Sequence, residues 1–233
     1  MAPPTPWRTA RVVSIYDETA RAKTFRLALP EPSGHRAGQH YVVRLTAPDG
    51  YTASRSYSVA SAPDGSNEFD LTVERLEGGE VSTFLHDVVE IGDELEVRGP
   101  IGGWFVWDAD TPALLVGGGS GVVPIMAMLR LARATGRSDL LRVVVSVRTH
   151  DDLYYANELP GTETMIVYTR EVPESTERVP GRMTRDDLAG RIIPDVDAYV
   201  CGSAGFADAA SHLIVELGVP VHRVRVERFG PTG

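Results

Sequence analysis

The sequence predicts two domains: an antiparallel six-stranded β-barrel over residues 1–109, then a doubly wound parallel-sheet α/β domain over residues 110–233. Three observations carry this reading. The first half consists of short alternating segments broken by turn residues, as in half-buried antiparallel strands. From about Asp110, near-continuous apolar runs alternate with amphipathic stretches, the texture of strands covered on both faces. At the start of that second half, Leu114-Leu115-Val116 runs into Gly117-Gly118-Gly119-Ser120-Gly121 and then into an amphipathic stretch ending near Ala134.

In the first half, strands are expected at residues 10–15, 22–29, 40–45, 56–60, 69–75 and 94–99. Pro30-Glu31-Pro32-Ser33-Gly34, Pro48-Asp49-Gly50 and Pro63-Asp64-Gly65 are the turns, because proline presets φ and glycine accepts positive φ. One helix is expected at 82–89, with Ser82 as its N-cap. Six strands and one short helix make a closed or nearly closed barrel.

The boundary is expected near Trp107-Asp108-Ala109-Asp110-Thr111-Pro112. Beyond it, strands are expected at 113–116, 142–147, 164–169 and 198–201, with helices at 123–134, 154–159 and 204–217 and a short turn at 186–189. Right-handed crossovers of this kind build a parallel sheet whose ligands lie at the carboxyl ends of the strands.

Composition is that of an ordinary folded protein, with 42% hydrophobic and 24% charged residues over 233 positions. A net charge of −9 argues against nucleic acid and anionic membrane as general partners. No apolar run reaches the roughly twenty residues of a membrane span. Met1-Ala2-Pro3-Pro4-Thr5-Pro6 has neither the basic start nor the apolar core of a signal peptide, so a short lead and a cytoplasmic location are expected. One cysteine, Cys201, leaves no intramolecular disulfide and no iron–sulfur cluster held by several cysteines of this chain. Six scattered histidines show no metal-ligand spacing, so no metal is expected.

Glycines between a strand and a helix let the backbone approach a pyrophosphate, and the helix N-terminus adds unpaired N–H groups and a favourable dipole. The turn at Gly118, Gly119, Ser120 and Gly121, followed by Pro124, therefore reads as a nucleotide-phosphate site. About sixty residues earlier stands Arg55-Ser56-Tyr57-Ser58. Side chains alternate along a strand, so Arg55 and Tyr57 point together and Ser58 points away or lies at the strand end.

With these two motifs the chain resembles the ferredoxin-NADP reductase superfamily of flavoenzymes. Its R-x-Y-S flavin motif matches at Arg55, Tyr57 and Ser58, and its G-G-G-x-G-x-x-P nucleotide motif at Gly117, Gly118, Gly119, Gly121 and Pro124. Gly79-Glu80-Val81-Ser82 is similar to its G-x-x-S flavin-phosphate turn, Cys201-Gly202 to its last sheet motif, and Glu227-Arg228-Phe229-Gly230 to its C-terminal motif. These five ordered matches span positions 55 to 230. The tail Gly230-Pro231-Thr232-Gly233 runs past the family's usual aromatic end.

The resemblance implies a flavin-binding barrel before a nucleotide-binding domain, with FAD rather than FMN and with NADP or NAD as cofactors. Arg55 would pair with the flavin phosphate, Tyr57 would pack on the flavin, and Ser58 would lie near its N5. Gly79, Val81 and Ser82 would hold the pyrophosphate through backbone and hydroxyl donors, and Gly38 and Gln39 would shape the barrel wall, with His40 in a wall position. Cys201 and Gly202 would face the nicotinamide, with Glu227 and Phe229 beside the flavin. Ser58, Cys201 and Glu227 are thus the catalytic candidates. Ser146 and Arg148, at a strand end where the coenzyme ribose should fall, suit a 2′-phosphate. Asp151 and Asp152 beside them suit a free 2′-hydroxyl, Arg170 is an alternative phosphate partner, and Tyr155 is either an adenine platform or core. A monomer is expected, passing electrons to ferredoxin, flavodoxin, an oxygenase component or a small acceptor. The competing reading is a non-catalytic flavin-binding regulatory subunit on the same fold.

Overall fold

The computed structural model describes residues 5–173 and 178–230. The lead at 1–4 and the tail at 231–233 lie outside the described residues. Strands β1 (Trp7–Thr19), β2 (Ala22–Ala28), β3 (His40–Thr46), β4 (Thr52–Ser58), β5 (Glu68–Glu74) and β6 (Glu94–Ile101) form one antiparallel sheet, ordered β4-β3-β6-β1-β2-β5. The sheet curls until its edges meet: just past β4, Val59 bridges Leu71, and Ala60 N–H donates to the Asp70 carbonyl at 2.8 Å. The barrel, expected to be closed or nearly so, is thus drawn shut where the chain just past β4 meets β5. Its interior is filled by Phe25, Leu27, Val43, Leu71 and Val97, with Tyr41 stacked on Phe69 at 4.1 Å.

Helix α1 (Glu80–Asp87) follows β5 and begins two residues before the expected 82–89. Its N-cap is Gly79 and not Ser82. The Ser82 hydroxyl is buried, donating to the Gly79 carbonyl and accepting from Leu76 N–H, both at 3.1 Å. It ties the turn together from inside the helix, a local bond that competes with capping.

The second sheet is parallel and ordered β11-β10-β7-β8-β9, from β7 (Ala113–Gly118), β8 (Leu141–Val147), β9 (Thr164–Tyr168), β10 (Asp197–Ser203) and β11 (Val224–Phe229). Strand β11 was not among the expected strands. It forms an edge, so its Val-Arg-Val-Glu-Arg-Phe sequence is half-polar, unlike the continuous apolar runs that mark the inner strands. Helix α2 (Val122–Ala134) packs on one face of the sheet; α4 (Ala204–Glu216), with the short α3 (Arg185–Ala189), covers the other. The turn expected at 186–189 is this helix, started by a capping box between Thr184 and Asp187. The helix expected at 154–159 does not form: the segment is a series of turns, with Tyr155 at φ 56°. A residue in that left-handed region ends helical geometry.

The two domains share one apolar core. Ala37, Ala60, Phe105 and Trp107 from the barrel side pack with Val122, Met126 and Tyr199 of the α/β side. Tyr199 adds a bond across the boundary, its hydroxyl donating to the Val106 carbonyl at 3.0 Å. Among the described residues, no helix is long and apolar enough to cross a membrane.

Candidate functional site

Parallel register brings four sequence motifs into one row at the carboxyl ends of the strands. Glu227 on β11 is opposite Cys201 on β10, Cys201 is opposite Gly117 on β7, and Gly118 is opposite Ser146 on β8. Cys201 is fully buried and shares a cluster with Tyr199, Val122 and Ala60, so it faces the barrel. Phe229 packs against the same cluster.

The glycine turn explains why these ends converge. β7 runs through a single 3-10 turn at Gly119–Gly121 into α2, whose N-cap, Gly121, carries no side-chain cap. A Cβ at Gly121 would collide with the carbonyl of Cys201, so only glycine lets the turn lie on the end of β10. A Cβ at Gly118 would come within 2.6 Å of the Phe206 ring on α4. Gly119, by contrast, sits at φ 56° with nothing within 4 Å of its Cβ position: it borders open space. Uncapped helical N–H groups facing an open glycine turn fit the pyrophosphate of a dinucleotide. Pro124, in the first turn of α2, lacks an N–H that the helix would leave unpaired anyway.

On the barrel, β4 presents Arg55 exposed, Tyr57 half-buried and Ser58 buried. The single hydrogen bond of the Arg55 guanidinium among the described residues goes to the carbonyl of Ser54, which leaves most of its five donors free. Burial pushes the Tyr57 phenol well above its ordinary range, so it stays neutral. The turn at Gly79 opens α1 beside β4, and Tyr51 donates to Glu80 at 3.1 Å across the gap. A side chain at Gly79 would meet the Ser82 hydroxyl at 2.6 Å, so the backbone there stays bare. The mostly unbonded Arg55 guanidinium and the uncapped start of α1 suit the flavin pyrophosphate expected at Arg55 and at the Gly79, Val81 and Ser82 backbone, whereas the Ser82 hydroxyl, committed to the turn, is not free to donate.

Burial also tunes the carboxyl end of the sheet. The Glu227 carboxyl is pushed up to about 7 by burial alone. Burial, reinforced by the neighbouring Glu227, raises the Cys201 thiol well above its ordinary value. The thiol is therefore protonated at neutral pH, and the carboxyl is poised to exchange a proton there.

The residues expected near the coenzyme ribose are divided. Arg148 is exposed just beyond β8, and its carbonyl accepts from Arg170 N–H at 2.9 Å, so both guanidinium groups start from one strand edge. Neither has an ion pair among the described residues. Of the two readings of Tyr155, adenine platform or core, its burial matches core: it is 4% exposed and packed between the domains. Its hydroxyl donates to Thr72 at 2.5 Å and its N–H to Glu18 at 3.0 Å, so its ring has no face free for a ligand. His40 lies on β3 opposite Ser58, with its pKa lowered by burial. Arg130 was missed entirely, although one arginine in the apolar stretch Ile125 to Leu131 was a visible signal.

Fold and site together define a two-domain oxidoreductase module that binds a flavin nucleotide and then a nicotinamide nucleotide. Two family models match it: the oxidoreductase FAD-binding domain over residues 9–106 and the oxidoreductase NAD-binding domain over residues 115–212. The chain belongs to the ferredoxin-NADP reductase-like superfamily, and its domains are those of an FAD-dependent NAD(P)H oxidoreductase. It is 28% identical, over 95% of its length, to the ferredoxin–NAD(P)(+) reductase component of naphthalene 1,2-dioxygenase/salicylate 5-hydroxylase systems from Ralstonia. It is 32% identical, over 98% of its length, to a flavohemoprotein from Bordetella pertussis. It spans 69% of the first relative and 62% of the second. The flavohem-like FAD/NAD-binding domain of nitric oxide dioxygenase from Vibrio cholerae superposes with a TM-score of 0.83 at 26% identity, covering 96% of this chain and 99% of that one.

Proposed function

We propose that this chain takes reducing equivalents from NADPH or NADH through FAD and delivers them to a separate acceptor protein, an oxygenase component or the ferredoxin that serves one. The observation that carries this reading is the single row Glu227, Cys201, Gly117, with the Gly121 turn pressed on the Cys201 carbonyl. This row puts the glycine turn against the buried end of β10, which faces the barrel, and so supports a coenzyme seated between the two domains.

When bound, the nicotinamide supplies a hydride and the flavin accepts it and can release electrons singly, so the redox chemistry belongs to the cofactors. The protein's part is placement and electrostatics. Arg55 would neutralise a flavin phosphate through paired N–H donors. The N–H groups at Gly119 to Gly121 would hold the coenzyme pyrophosphate. Cys201 and Gly202 would leave room for ring-on-ring stacking, and the neutral thiol would not compete for the hydride. Glu227, poised near neutrality, would hold or release a proton at its carboxyl oxygen. Phe229 would keep water from the reacting face. Arg148, with Arg170 beside it, would read the coenzyme 2′ position.

Relatives named as reductase components of a dioxygenase system and of propane 2-monooxygenase support an oxygenase-linked acceptor. The test is coenzyme oxidation with ferricyanide, with a ferredoxin, and with an oxygenase component. Turnover with ferricyanide and faster turnover with a protein acceptor supports the reading. Turnover with ferricyanide and none with any protein acceptor removes the protein-acceptor half of it.

A further inference from the structure

Ala60 lies two residues beyond Ser58, where the flavin strand leaves the barrel and enters the shared core. Its carbonyl does not bond within the barrel. It accepts from the Nη1 of Arg130 at 2.9 Å, and Arg130 is on α2, in the other domain. The remaining guanidinium nitrogens, Nε and Nη2, donate to the Glu158 carboxylate at 2.8 and 2.6 Å. Asp70 stands 3.8 Å from Nη1, and the Tyr155 ring centroid lies 5.1 Å from the guanidinium carbon. The Arg130 side chain is 21% exposed, and Asp70 is itself held by Arg26 in a paired contact at 2.8 and 3.1 Å. The guanidinium is thus fixed by a planar carboxylate, an aromatic face and a buried acid before it reaches Ala60.

What this bond joins is specific. Helix α2 begins at the glycine turn, and Arg130 follows Gly121 by nine residues, about 13 Å along a rigid helix. Ala60 follows Ser58 by two residues, about 7 Å along an extended chain. One charged hydrogen bond therefore spans the gap between the segment that grips the flavin and the helix that opens at the coenzyme phosphate turn. Resting on the function proposed above, we propose that Arg130 is a positioning residue for hydride transfer. By holding the Ala60 carbonyl it fixes the Arg55 to Ser58 strand relative to the Gly117 to Gly121 turn, and so the approach of the two rings. Its partners are Ala60, Glu158, Asp70 and the Tyr155 ring, none of them a residue assigned to cofactor binding by the function proposed above, so its loss acts on approach geometry rather than on either binding site.

The test compares wild type, Arg130→Met, Arg130→Lys and Glu158→Gln. In anaerobic stopped flow, the limiting rate of flavin reduction in Arg130→Met falls at least tenfold, on the scale expected when reacting groups shift by about 1 Å. Flavin content and the coenzyme dissociation constant stay near wild type, and Arg130→Lys recovers part of the rate. A second readout needs no turnover: spin labels on Thr9→Cys in β1 and Ala134→Cys in α2 report the inter-domain distance, since the native Cys201 is buried and does not label. That distance distribution broadens in Arg130→Met. Should Arg130→Met not fold, the half-exposed Glu158→Gln replaces it in both measurements and shows the same changes in smaller degree. An unchanged limiting rate or an unchanged distance distribution overturns the proposal. Failure of wild type to be reduced by either coenzyme overturns the functional reading instead, and leaves the distance measurement standing as the test of Arg130.

Discussion

Cys201 on β10 and Glu227 on β11 are register partners at the carboxyl edge of the parallel sheet, and burial raises the pKa of both, the carboxyl to about 7. Near neutral pH the thiol therefore stays protonated while the carboxyl beside it can gain or lose a proton.

With a folded pKa of about 7 and an ordinary value of 4.5, Glu227 holds more protons folded than unfolded between those limits. Stability therefore falls as pH rises through that window, by at most roughly 3.5 kcal/mol. Glu227→Gln cannot ionise, so its Tm relative to wild type should rise between pH 5 and pH 8. A Tm difference that stays flat with pH would show that the carboxyl titrates normally.

Arg55→Ala should weaken flavin retention by roughly 1.5 to 3 kcal/mol, the scale of a charged hydrogen bond. Flavin-to-protein ratio after dialysis measures it. Full occupancy in the variant would make Arg55 a mere surface charge.

Gly121→Ala drives a methyl group into the Cys201 carbonyl, so the turn must move off β10. A cost of about 1 to 3 kcal/mol in stability is expected from overpacking. Coenzyme affinity should fall more than flavin occupancy, because the displaced N–H groups belong to the second domain. Calorimetry and coenzyme titration check this, and wild-type affinity in the variant would remove the phosphate role of the turn.

Arg148→Ala should raise the KM for NADPH and leave that for NADH nearly unchanged, because NADH has no 2′-phosphate to lose. Equal losses with both would assign Arg148 to the strand end. Wild-type preference for NADH would shift weight to Asp151 and Asp152.

The barrel, the parallel sheet and the glycine turn were legible because their signals are local: alternation, apolar runs, and glycines where the backbone crowds. Gly121 is an example, since only its lack of a side chain matters. Tyr155 was not legible in the same way. Thr72 and Glu18, which fix it, are 83 and 137 residues away in sequence, so its burial is a product of domain packing. Ser82 misled for a different reason: its hydroxyl had a turn to brace as well as a helix to cap, and the turn won. Strand β11 hid behind a half-polar edge pattern, and with it the pairing that gives Glu227 its setting.

The most direct test of the whole account is an anaerobic absorbance titration of the purified protein with NADPH, followed by heat release and identification of the bound flavin. A yellow protein that bleaches on stoichiometric coenzyme addition and releases FAD is expected, because the proposed flavin grip at Arg55 and Gly79 and the proposed phosphate turn at Gly119 to Gly121 stand on one molecule. A flavin that binds but stays oxidised with both NADPH and NADH would contradict it, leaving a flavin-binding module without catalysis.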